Sequence, residues 1–150
     1  MVGIHFNSKG GDDPLFGRRQ PPVLASEAQR VAQAEVVRDF VDALLTEDPE
    51  ARVIVLGDLN DFAFSPPVDL LRAGATPDAD LAVLLEQLAP EERYSYVFEG
   101  NSQALDQMLV SPALADILVP GSYDVVHVNA EFADQASDHD PQVARFLLPP

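Results

Sequence analysis

Residues 2–7 alternate between apolar and polar positions and predict a short strand ending near His5. Residues 8–25 carry Gly10, Gly11, Gly17 and the Pro21-Pro22 pair, which predicts a long loop. Loops of that length in a compact domain tend to be functional or mobile. Ser26-Glu27-Ala28-Gln29 then reads as a capping box with Ser26 at the N-cap. Val31, Ala34, Val37, Val41, Leu44 and Leu45 recur at helical spacing, so an amphipathic helix is predicted over 27–46, with Arg30 and Arg38 on its other faces. Asp48-Pro49 ends it. Arg52–Leu56 is apolar and β-branched after its first residue, the pattern of a buried strand. Ser65-Pro66-Pro67 starts a short helix through Leu71 that stops at Gly74. Leu81–Leu85 predicts the start of another helix, ended by Pro90. Tyr94–Phe98 and Ala104–Val110 read as two strands joined by a turn at Glu99-Gly100-Asn101-Ser102. Pro112–Leu118 reads as a helical turn, and Tyr123–Asn129 and Gln142–Leu148 as the last strands. Strands alternating with helices, then hairpins, give a mixed α/β fold with late antiparallel strands.

At 150 residues and 47% hydrophobic, the chain has the material for one domain with a real core. Its formal net charge of −16, from 9 basic and 25 acidic residues, argues against tight non-specific gripping of duplex phosphates. Lys9, Arg18 and Arg19 are the one local basic cluster, read either as a solvated loop or as a phosphate-gripping arm. The absence of cysteine excludes disulfides and thiolate zinc sites. No apolar run approaches transmembrane length, and Met1 leads straight into a strand-like segment without a signal-peptide pattern.

Candidate chemistry concentrates in three places. Gly57 ends the buried run and delivers Asp58, Asn60 and Asp61 together. Asp58 and Asn60, two apart, face one side in extended geometry. Such oxygen-bearing groups suit a divalent cation, a phosphate or an activated water, although Asp and Asn also favour ordinary turns. Asp106 lies inside a strand-like run and needs a partner, because an unpaired buried carboxylate is costly. A backbone N–H, an Arg or His139 would serve. His139 is flanked by Asp138 and Asp140, and neighbouring carboxylates raise a histidine's pKa and fix its tautomer. An EF-hand reading of the Asp58 segment fails, because Phe62 takes a ligand position and Ala63 the required glycine. A zinc site built from His5, His127 and His139 lacks any short ligand spacing, and His127, in the apolar run 125–128, reads as structural.

Four motifs in order resemble the endonuclease/exonuclease/phosphatase superfamily of metal-dependent phosphodiesterases, the DNase I-like group. They are Val2-Gly3-Ile4-His5-Phe6, Gly57-Asp58-Leu59-Asn60, Leu105-Asp106-Gln107-Met108-Leu109-Val110-Ser111 and Ser137-Asp138-His139. The segments Phe16–Pro22 and Tyr94–Phe98 look closer still to large secreted bacterial nucleases of that group.

The resemblance implies a four-layer α/β sandwich, of which residues 1–150 match the C-terminal half. The family's first-half Gln-Glu motif, whose Glu binds metal, has no counterpart here. A partner half of the domain is therefore expected, without which an apolar sheet face would be uncovered. The resemblance also implies catalytic roles. Asp58 would orient or deprotonate the attacking water, Asn60 would hold that water or a phosphoryl oxygen, and Asp138 would bind the metal. His139, oriented by Asp106, and His5 would contact phosphate. The hard oxygen ligands favour Mg²⁺, with Mn²⁺ or Ca²⁺ as alternatives. The expected substrate is nucleic acid, DNA or RNA, in a secreted or periplasmic setting away from membranes. The competing readings are a phosphoesterase of the same fold acting on a lipid head group or inositol phosphate, and an inactive fragment.

Overall fold

The structure is a computed structural model that describes residues 1–148. Its centre is a four-stranded mixed sheet of β1 (Val2–His5), β2 (Ile54–Asp58), β6 (Asp106–Val110) and β3 (Ala82–Val83), in the order β1-β2-β6-β3. β1 runs parallel to β2, and β6 is antiparallel to both β2 and β3. Parallel neighbours require a crossover. Here the crossover is the long loop followed by α1 (Glu27–Glu47).

The side-chain period of two sorts the sheet into two faces. Val55 and its partner Leu109 are fully buried and point to one face together with Val53. Burying a side chain of this kind contributes roughly 1.5–3 kcal/mol. The register pairs His5 with Asp58 and Asp58 with Asp106, so these three side chains form one row on the opposite face. Gly57 makes the row possible. Its φ is +137°, and a Cβ there would sit 2.0 Å from the Ile4 carbonyl oxygen of β1.

The predicted helix is present as α1, but its buried stripe is Arg30, Ala34, Arg38, Val41 and Leu45. The two arginines therefore belong to the packed face, contrary to the periodicity reading. Arg38 donates to the Leu71 carbonyl at 3.1 Å and to Asp42 at 2.7 Å, tying α1 to α2 (Pro66–Arg72). The expected capping box is also corrected. Ser26 makes no side-chain cap bond. Its Oγ accepts from Arg30 Nη1, and its own N–H donates to Asp12 Oδ1 at 2.7 Å.

Three further expectations change. Leu81–Leu85 is not a helix start, because Ala82–Val83 forms β3 and Leu84–Gln87 a 3-10 turn. Leu81, Val83, Leu84 and Leu85 are all buried, and a run apolar on every side has no helical face to obey. Tyr94–Phe98 does not pair with 104–110. Instead β4 (Tyr96–Phe98) folds onto β5 (Asn101–Gln103) through a two-residue turn, with Glu99 at φ 49° and Gly100 at φ 79°. Positive φ at both central positions is the twist that two-residue hairpins favour. The last two expected strands shrink to β7 (Asp124–Val125) and β8 (Gln142–Val143), with one further bridge between Leu118 and Phe146. Pro112–Leu118 reduces to α3 (Pro112–Ala115). Among the described residues no helix is long and apolar enough to cross a membrane.

Candidate active site

The row of His5, Asp58 and Asp106 is the base of the site. Asp58 closes β2, and the chain turns at Asn60, whose φ of 50° is the left-handed conformation that Asn tolerates best after Gly. That turn folds Asn60 back on Asp58. The Asn60 N–H donates to Asp58 Oδ1 at 2.7 Å and its side-chain amide to Asp58 Oδ2 at 2.9 Å. The same amide donates to the Phe6 carbonyl at 3.1 Å. Both amide hydrogens are thus engaged, and Asn60 holds the Asp58 carboxylate in place. His5 Nε2 lies 3.5 Å from Asp58 Oδ2, with the imidazole 76% exposed.

Asp106 has the partner that a strand carboxylate needs. His139 Nδ1 lies 2.6 Å from Asp106 Oδ2. Ser95 Oγ donates to the same oxygen at 2.6 Å, and Gln142 donates to the Asp106 carbonyl at 2.8 Å. The Tyr96 ring packs on the His139 imidazole with centroids 4.7 Å apart. Backbone contacts fasten the same segment, through a bridge between Tyr96 and His139 and an Asp140 N–H to Ser95 carbonyl bond of 2.7 Å.

The electrostatics follow from this crowding. Burial is the largest influence on Asp58 and raises its pKa. The Asn60 N–H opposes the rise, Asp106 reinforces it, and the net shift is upward. At His139 burial is again the largest influence and works against the charged ring. The bond to Asp106 and the charges of Asp106, Asp58 and Asp138 outweigh it, so the pKa is raised. A raised carboxylate beside a second carboxylate is a place where a cation relieves repulsion. One ligand atom each from Asp58, Asp106 and His139 can be chosen so that all lie within 4.8 Å of one another. Two carboxylates and one imidazole form a donor set of the kind that holds a divalent cation.

The remaining sequence candidates sit differently. Asp138 is exposed and adjoins His139, outside that three-residue group. Lys9 is not a free phosphate-gripping side chain. Its Nζ lies 3.3 Å from Asp61 Oδ1 and 3.6 Å from Asp12 Oδ2, over the Phe62 ring. Arg19 lies 3.7 Å from Asp13 and is 68% exposed, and Arg18 is exposed.

Several residues that hold the site escaped the sequence reading. Arg30 is fully buried and donates from Nε to Asp61 Oδ2 at 2.7 Å and from Nη2 to Asp12 Oδ2 at 3.0 Å. It joins the loop after β1 to the loop carrying Asn60. Its place in line with Ala34, Arg38 and Val41 was the available signal. Ser95 had none, and Asp140, expected to act on the neighbouring His139, turns instead to His127. Asp140 collects the N–H groups of Val128, Asn129 and Ala130 at 2.7–3.1 Å and lies 3.0 Å from His127 Nδ1. His127 stacks on Tyr94, 4.1 Å between ring centres, and buttresses the segment carrying His139 from behind.

No curated protein matches the chain. A family model described as endonuclease/exonuclease/phosphatase matches residues 16–137, a span that contains Asp58, Asn60 and Asp106 and stops short of His139. The chain belongs to the endonuclease/exonuclease/phosphatase family.

Proposed function

We propose that this chain carries the catalytic face of a metal-dependent phosphodiesterase that hydrolyses nucleic acid. The observation that supports the reading best is the single row of His5, Asp58 and Asp106 with His139 bonded to its end. Phosphodiester hydrolysis needs an activated water, neutralised phosphoryl charge and an orderly arrangement of both. Asp58, fixed by Asn60, orients the attacking water and accepts its proton. Its raised pKa brings it nearer to the range useful for a general base. The His139 nitrogen not engaged by Asp106 donates to a phosphoryl oxygen from the imidazolium form, which the Asp106 carboxylate stabilises. His5 offers a second donor at the exposed end of the row.

Asp58 and Asp106 would hold the cation, with Asp138 as a further carboxylate. Bound there, Mg²⁺ or Mn²⁺ would supply Lewis-acid neutralisation of the phosphate. The reading includes a partner half of the domain that furnishes the family's Glu ligand. It also places the enzyme in an extracellular or periplasmic setting, where an acidic surface favours solubility.

The test is cleavage of labelled DNA and RNA oligonucleotides by the chain, alone and joined to the rest of its domain. Cleavage that needs a divalent cation and stops on chelation is expected. Undiminished cleavage in excess chelator would overturn the mechanism.

A further inference from the structure

The β4–β5 hairpin presents two aromatic rings in sequence from the site outward. Tyr96 lies against His139, and Phe98, two residues on and therefore on the same face of the strand, follows it. The Tyr96 and Phe98 rings are stacked nearly parallel, their planes 13° apart and their centroids separated by 6.3 Å. Phe98 is 51% exposed at the end of this line. Directly across the hairpin, Gln103 pairs with Tyr96 and shares that face with the rings, while Asn101, opposite Phe98, donates its amide to the Phe98 and Glu99 carbonyls and braces the turn. The hairpin is fastened to the reacting segment by backbone as well as by ring contact, which fixes the line of rings relative to His139.

We propose that this face is a stacking platform for an unpaired nucleobase of the substrate, which makes the enzyme selective for single-stranded nucleic acid. The inference rests on the phosphodiesterase reading and adds its substrate class. A phosphate held at His139 places the adjoining nucleoside within reach of the Tyr96–Phe98 line. Aromatic faces bind any base by stacking, and an amide such as that of Gln103 beside them bonds a base edge. A base paired inside a duplex cannot present its face to a ring. The charge balance points the same way. With a net charge of −16 and Lys9 neutralised by Asp61 and Asp12, binding through backbone phosphates is weak, and stacking supplies what phosphate contacts do not.

The experiment compares a single-stranded thymidine oligomer, an abasic oligomer of the same length and a duplex, each cleaved by the chain joined to the rest of its domain. The expected order is thymidine oligomer first, with the abasic oligomer and the duplex each about tenfold lower in kcat/KM or worse. Phe98→Ala should raise KM for the thymidine oligomer about tenfold, leave kcat unchanged and leave the abasic oligomer unaffected. Phe98→Trp should restore the wild-type KM. Equal rates on the thymidine and abasic oligomers, or a Phe98→Ala loss that is the same on both, would overturn the platform while leaving the phosphodiesterase reading intact. If no phosphodiester is cleaved at all, that reading fails, and equilibrium binding of the two labelled oligomers decides the platform separately. Tighter binding of the thymidine oligomer that Phe98→Ala removes supports it. Equal binding, or a Phe98-dependent affinity for neutral phosphatidylcholine vesicles in its place, overturns it.

Discussion

Arg30 Nε donates to Asp61 Oδ2 at 2.7 Å, and both side chains are fully withdrawn from solvent. The pair joins the first helix to the residue directly after Asn60. Asp12, almost as buried, takes the other end of the guanidinium, and its pKa ends up lowered. Burial, the largest influence, raises it, but the bonds from Ser26 and Arg30 win.

Removing Arg30 would leave two carboxylates in the interior with only Lys9 nearby. Breaking a buried pair on one side typically costs about 3–5 kcal/mol. Arg30→Met should therefore destabilise the protein by about that amount in urea unfolding. A loss below about 1 kcal/mol would show that water reaches the pair in solution.

The Asp106–His139 bond predicts a titration. His139 is raised above its usual 6.5, so the charged bond stabilises the fold fully below that pH and fades as pH rises through the higher folded value. Asp106→Asn should move the His139 titration down. With three histidines in the chain, NMR can follow each one. An unmoved His139 would mean that Asp106 does not hold it.

Asp140, like Asp12, makes the fold sensitive to acid. Its pKa is lowered below 3.8 because the bonds from His127 and three backbone N–H groups outweigh burial, which is the largest influence and raises it. A depressed carboxylate contributes stability above its unfolded pKa and loses it as pH falls through the folded one. Melting temperature should thus drop steeply below about pH 4. Asp140→Asn should lower stability at pH 7 by roughly 1–3 kcal/mol and flatten that acid slope. A variant with the wild-type acid slope would assign the slope to other carboxylates.

Gly57→Ala should be severe. A methyl group there meets the Ile4 carbonyl at 2.0 Å, so β1 must move away from β2. A loss of about 3 kcal/mol or more is expected in chemical denaturation, with the His5–Asp58 contact disrupted as well. Near-wild-type stability would contradict the observed approach of the two strands.

Asp58→Ala or His139→Ala should each lower the cleavage rate of the proposed enzyme by at least roughly a hundredfold, the usual scale for losing a general base or an electrostatic stabiliser. Thermal melts close to wild type would separate lost chemistry from lost folding. Wild-type turnover by either variant would remove that residue from the mechanism.

The chain itself specified the polar residue types and the apolar runs that carry them. The β-branched run before Gly57 is too short for a helix and reads as a buried strand, and 27–46 carries the helical period, although that period left out the two arginines of the buried stripe. Asp106 demanded a partner for a reason visible in sequence, since a carboxylate within a strand must be satisfied. The choice among a backbone N–H, an arginine and His139 was not visible there. Tertiary structure chose His139 and added Ser95, because residues 95, 106 and 139 meet only after the hairpin docks beside β6. It likewise turned Leu81–Leu85 from an expected helix into a strand and a 3-10 turn, since an all-apolar run with no helical period takes whatever backbone its neighbours pair with. It placed Arg30 and Arg38 in the interior, because acceptors from distant segments converge on them. The alignment of His5, Asp58 and Asp106 belongs to register alone. A slip of one residue would turn Asp58 to the opposite face of the sheet, and no local preference of the sequence forbids that. The burial of Val55 and Leu109 on one face forbids it, by leaving the polar row on the other.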